Sequence, residues 1–161
     1  MWEFVVGGCS GTSVPNVLDR EDFGYLTTSF GFLNEKMGLG IIIDNGNGVQ
    51  AVARKMISSG IDLVWVLQTH FHSDHVEGVQ HNALIYTKKI QEIVVPDFGG
   101  KSFQTMLDER FHLQAWPVSP ETFGIRHQIR HFKPGESLNV AGLEVRTLEL
   151  VHPGGAIAYR F

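Results

Sequence analysis

Three histidines and one aspartate fall within six residues in Thr69-His70-Phe71-His72-Ser73-Asp74-His75, an H-x-H-x-D-H pattern. Imidazole nitrogens and carboxylate oxygens, with no thiolate among them, are the donors of a catalytic divalent-metal site. They favour zinc, with manganese or iron as alternatives. His70 and His72 stand two apart, so at the end of an extended strand both point to one side. Asp74 and His75 come where the chain must turn into its next helix, and from there they reach a second point close by. This arrangement suits two neighbouring ions better than one. Asp74 is then useful twice, as a ligand and as the catalytic group that orients a water and takes its proton. A histidine-rich surface loop is the competing interpretation, and what precedes the motif argues against it.

Leu63-Val64-Trp65-Val66-Leu67 is an apolar run of strand length. The spacing predicts a buried, parallel-type strand over 61–67, with the motif just past its carboxyl end, where α/β sheets place ligands. Val49, Val52, Ala53, Met56 and Ile57 recur at helical spacing and Gly60 follows as a stop, so an amphipathic helix packs on that sheet. Leu39 to Asp44 is another strand. Asp44 ends a run of three isoleucines, and a carboxylate there is costly unless it is paired or caps a turn at Asn45-Gly46. Strands are also expected over Trp2 to Val6 and Thr27 to Asn34. Between them Gly7-Gly8-Cys9-Ser10-Gly11-Thr12-Ser13 can turn backbone N–H groups towards a phosphate or can simply connect strands.

Downstream, Val76 to Tyr86 is expected as a helix, and Ile90 to Val95 as a strand stopped by Pro96. A second amphipathic helix has Phe103, Met106, Leu107 and Phe111 on one face. Residues 112–122 carry breakers and suit a flap, with Trp116 as a buried anchor. The remainder is β: Ile125 to Phe132, a hairpin of Ser137 to Val140 and Leu143 to Leu150 around Ala141-Gly142, and Ala156 to Phe161. His81 is expected on the surface, and His127 and His131 as partly exposed residues of the 125–132 strand.

The 161 residues make one domain with enough chain for a real core. A formal net charge of −4 argues against a broad basic nucleic-acid surface. It leaves RNA open, since metal ions bring their own positive charge. Cys9 is the single cysteine, so no intramolecular disulfide forms. Met1-Trp2-Glu3-Phe4 lacks the basic start of a secretory signal, and no apolar run approaches a membrane span. A cytoplasmic protein with no membrane association is expected.

The H-x-H-x-D-H segment resembles the signature of the metallo-β-lactamase fold hydrolases, a superfamily of mostly two-metal enzymes. Gly40-Ile41-Ile42-Ile43-Asp44-Asn45-Gly46 looks like that fold's strand ending in aspartate and glycine. Val151-His152-Pro153-Gly154-Gly155 looks like the element carrying its next ligand histidine. With the Gly-rich N-terminal loop, the likeness is greatest to the phosphodiesterase branch, which includes tRNA 3′-processing endonucleases and phosphoribosyl cyclic-phosphate phosphodiesterases. The resemblance implies an α/β protein with the four-layer αββα fold, one domain over residues 1–161. It implies a three-histidine site of His70, His72 and His152 with an open position, and a second site begun by Asp74 and His75. Asp44 would support the ligand histidines without touching metal, which agrees with the need of a ligand imidazole to have its other N–H held. Gly11, Thr12, Ser13, Gly154 and Gly155 would lie on the substrate side.

The expected function is metal-dependent hydrolysis of a phosphodiester, in a small molecule or RNA. An ester, thioester or lactone hydrolase on the same fold is the alternative, and a non-catalytic metal-binding fragment a third. The resembling enzymes complete the second site with a bridging aspartate and a late histidine. Both would fall beyond Phe161, and Asp97 and Asp108 suit a surface loop and helix instead. The chain is therefore expected to be C-terminally shortened, with an open sheet edge that invites a homo-oligomer.

Overall fold

The computed structural model describes residues 1–11, 25–100, 102–111, 116–117 and 128–161. Glu3–Gly8 (β1) and Ser29–Asn34 (β2) pair antiparallel, and β2 pairs antiparallel with Leu39–Ile43 (β3). Helix Val49–Ser58 (α1) then crosses over to Leu63–Leu67 (β4), parallel to β3. One helical turn, Ser73–Val76 (α2), precedes Ile90–Pro96 (β5), and Phe103–Arg110 (α3) precedes Ile129–Phe132 (β6). Both strands extend the sheet in parallel, giving the order β1-β2-β3-β4-β5-β6. Ser137–Val140 (β7), Leu143–Leu150 (β8) and Ala156–Arg160 (β9) form a separate antiparallel sheet.

The central strands are continuous apolar runs because both their faces are covered. Side chains alternate along a strand, and the two faces enter different cores. Ile42, Val64, Val66, Ile93 and Val95 face α1 and α3, where they meet Val52, Met56, Phe103 and Leu107. Ile41, Ile43, Leu67 and Val94 face the second sheet, where they meet Leu138, Val140, Val145 and Ile157. The layers are thus helix, sheet and sheet among the described residues. Truncating Ile42, which is 0% exposed, to alanine would cost about 2–5 kcal/mol.

The expected elements differ from the observed ones in three places. The segment after His75 is no long helix: α2 ends at Val76, and 3₁₀ turns over Val79–His81 and Ala83–Tyr86 follow. Asn82 breaks any continuation, because its side chain accepts the Leu84 N–H and caps the second turn. Ile57 is 42% exposed and not core. Gly7 and Gly8 have packing partners where a ligand was considered, since a Cβ on either would run into the backbone of Gly48 or of Leu26 and Thr27. The candidate flap and the start of the 125–132 strand lie largely outside the described residues, as do Thr12, Ser13 and His127.

Candidate metal centre

The carboxyl ends of β3, β4 and β5 form one rim, and β4 delivers the motif there. His70 is 7% exposed, Asp74 and His75 are half-buried, and His72 and His152 are exposed. His152 comes from the turn before β9, so the second sheet folds it onto the motif. The ligand atoms of His70, His72 and His152 all lie within 4.8 Å of one another. His152 Nε2 is 3.1 Å from His72 Nδ1, close to the roughly 3.3 Å that separates tetrahedral ligands at zinc–nitrogen bond lengths. Asp74 Oδ2 lies 3.3 Å from His75 Nε2, a second pair beside the first group. The rings of His70 and His75 are 4.0 Å apart between centroids, so the two groups adjoin. Three imidazole nitrogens with a carboxylate and a fourth imidazole alongside are a donor set that fits a divalent ion.

Asp44 holds the candidate ligand segment from behind through hydrogen bonds. It is 1% exposed and sits at φ +62°, a left-handed conformation that aspartate tolerates better than most residues. Oδ1 accepts the Thr69 N–H at 2.7 Å and a Gln68 amide N–H at 2.9 Å. Oδ2 lies 2.6 Å from His75 Nδ1 and accepts the Thr69 hydroxyl at 2.8 Å. With its proton on Asp44, Thr69 Oγ1 is left to accept from His70 Nδ1 at 2.9 Å. One carboxylate therefore fixes the tautomer of both imidazoles, His75 directly and His70 through Thr69, and leaves each Nε2 free for metal.

The electrostatics follow from burial and these contacts. Burial pushes the Asp44 carboxyl above its ordinary range, while His75 and Thr69 pull it down. Burial opposes a cation on His75, but the hydrogen bond to Asp44 and the charges of Asp44 and Asp74 outweigh it and raise the imidazole. Burial and the neighbouring imidazoles hold His70 down to about 4, so it needs to lose no proton at neutral pH to act as a ligand. Burial raises the Tyr159 phenol, and its O–H stays a donor.

The structure brings His70, His72 and His152 together, with Asp74 and His75 beside them and Asp44 behind. Gly154 and Gly155, both with φ +81°, line a cavity of about 250 Å³ with His70, Phe71, His72, Phe98 and Gly100. Gly11 is exposed, with open space where a Cβ would sit. His81, Asp97 and Asp108 are exposed as expected, and His131 is exposed on β6. Trp116 is partly buried against the helical core and meets His81 edge-on at 5.3 Å. Thr69, Gln68 and Tyr159 were not expected at the site. A polar Gln68-Thr69 pair closing an otherwise apolar strand was the available signal for the first two.

No protein-family model and no curated protein matches the sequence. Solved structures do match. The metallo-β-lactamase fold protein YhfI from Bacillus subtilis superposes with a TM-score of 0.61 at 16% identity, covering 99% of this chain and 57% of its own. A metallo-β-lactamase from Staphylococcus aureus gives 0.56 at 16% identity, covering 98% and 36%. The short form of human tRNase Z gives 0.56 at 14% identity, covering 99% and 62%. The chain thus spans from about a third to under two thirds of each of these proteins. No helix among the described residues is long and apolar enough to cross a membrane. Superposed on these structures over 98–99% of its length, the chain has the metallo-β-lactamase fold.

Proposed function

We propose that the chain is the metal-binding portion of a metal-dependent hydrolase that cleaves phosphodiester bonds. The observation that carries the reading is the convergence of His70, His72 and His152 within 4.8 Å, beside Asp74 and His75. His70, His72 and His152 would hold one ion, and Asp74 and His75 would contribute to a second. An ion bound there supplies Lewis acidity, polarising a phosphoryl oxygen and acidifying a water. The chain's own residues do the rest. Asp44 and Thr69 aim the imidazoles. Asp74, half-buried at the rim, accepts the proton of the attacking water. Gly154 and Gly155 wall the cavity without side chains and so leave room for a phosphodiester. Zinc suits the nitrogen-rich donor set best. Support for a phosphodiester, and for RNA as its source, comes from the fold shared with tRNase Z and from the likeness of the motifs to that branch.

The test is turnover of bis(p-nitrophenyl) phosphate beside a thioester by the zinc-loaded chain, with chelator-treated protein as control. Zinc-dependent cleavage of the phosphodiester alone is expected. Preference for the thioester would overturn the substrate class. Zinc uptake with no turnover of either would reduce the chain to a metal-binding module.

A further inference from the structure

Gln68 is 0% exposed, yet it is neither a ligand nor an apolar core residue. Its Nε2 lies 2.8 Å from the His70 carbonyl oxygen, 2.9 Å from the His75 carbonyl oxygen and 2.9 Å from Asp44 Oδ1. Its Oε1 accepts from Asn45 Nδ2 at 3.3 Å. These partners leave one orientation for the carboxamide, because the reversed one would turn its oxygen towards three oxygens. The main chain of Gln68 is equally engaged. Its N–H donates to the Val94 carbonyl at 2.9 Å, and its carbonyl accepts the Tyr159 hydroxyl at 2.6 Å. One residue on, the Thr69 carbonyl accepts the Ile157 N–H at 3.1 Å. Strand β9, which follows His152, is docked on the end of β4 through these two bonds.

We infer that Gln68 and Tyr159 are the positioning pair of the metal centre. The Gln68 carboxamide ties the His70 and His75 segments to each other and to Asp44. The Tyr159 hydroxyl brings in the sheet that carries His152. Every ligand-bearing segment thereby refers its position to one residue. A side chain needed only to fill the end of a Leu-Val-Trp-Val-Leu strand could be apolar, whereas an amide makes sense where its two N–H bonds can be shared among three converging acceptors. The inference rests on the metal-centre reading.

The experiment is zinc affinity, measured on the full chain by competition with a chromophoric chelator. Wild type, Gln68→Met and Tyr159→Phe are compared after circular dichroism has confirmed the native fold. Gln68→Met is expected to weaken zinc binding by about 10- to 100-fold, the range for groups that hold metal ligands in place. Tyr159→Phe keeps its ring beside Phe132 and should lose about fivefold, the equivalent of one neutral hydrogen bond. Unchanged affinity in both, with only the melting temperature lowered, would overturn the inference and leave the pair merely structural. Should Gln68→Met fail to fold, Tyr159→Phe decides, and wild-type affinity there overturns it. A wild-type chain that takes up no zinc would instead overturn the metal-centre reading, and that result precedes any comparison of variants.

Discussion

The two halves of the candidate metal centre are built differently. His70 and His75 follow the carboxyl end of β4, a parallel strand buried between two layers, and each has its Nδ1 held through Thr69 or Asp44. The His72 and His152 side chains are exposed, and among the described residues the hydrogen-bond partner of each ring is the other, at 3.1 Å. The first half is preorganised by the same contacts that satisfy a buried carboxylate. The second is brought near by sheet docking but is left for a ligand to order. A site made this way needs little rearrangement where the chemistry demands accuracy, and it keeps freedom where the cavity opens to solvent.

The strongest way to break this comparison is to delete ligands from each half. His70→Ala, His72→Ala and His152→Ala should each lose firmly bound zinc, measured as metal retained after gel filtration. Only His70→Ala should also lower the melting temperature of the metal-free chain, by about 2–4 °C per kcal/mol lost in a chain this size. Equal melting temperatures for all three would mean that the halves do not differ. The same assay on wild type should find one ion held firmly and a second weakly, since three ligands meet at one point and two at the other. Two tight ions would show that the second group is better furnished than Asp74 and His75 alone allow.

Next comes Asp44→Ala. It unhooks His75 and Thr69 together, and zinc affinity should fall by about 10- to 100-fold in a chain that still folds. An unchanged dissociation constant would reduce Asp44 to a turn residue. Zinc at 100 times its dissociation constant should stabilise the wild-type chain by about 2.7 kcal/mol. In nuclear magnetic resonance spectra it should sharpen the His72 and His152 ring signals more than those of His70 and His75. Equal sharpening would contradict the division. The smallest effect is expected from Gly155→Ala. Its new methyl would lie 2.5 Å from the Phe98 ring at a φ of +81°, a left-handed conformation costing a non-glycine residue about 1–2 kcal/mol. A melting temperature equal to wild type would show that the loop yields freely.

Much of this was legible before the structure. The runs ending at Ile43 and Leu67 announce strands covered on both sides, and H-x-H-x-D-H past such a strand announces a site. Asp44 stood out because a carboxylate after three isoleucines must have partners. Gln68 and Tyr159 did not stand out, because their roles depend on contacts between segments up to 91 residues apart, which no local periodicity reports. The helix expected after His75 failed for a related reason. Gly78 packs where a Cβ would strike the backbone of Asn45 and Gly46, and Asn82 donates from its amide to Asn45. Tertiary contacts to the Asp44 turn thus replace helical propensity over that segment.

The distance along the chain between His72 and His152 has a consequence for its polymer physics. The two residues are 80 apart in sequence, and Cys9 has no second cysteine to bond with. An ion gripped by both is a cross-link that closes an 80-residue loop. It would restrict the unfolded ensemble much as a disulfide does, and the benefit grows with the logarithm of the loop. Unlike a disulfide, this staple is reversible: a chelator opens it without reduction.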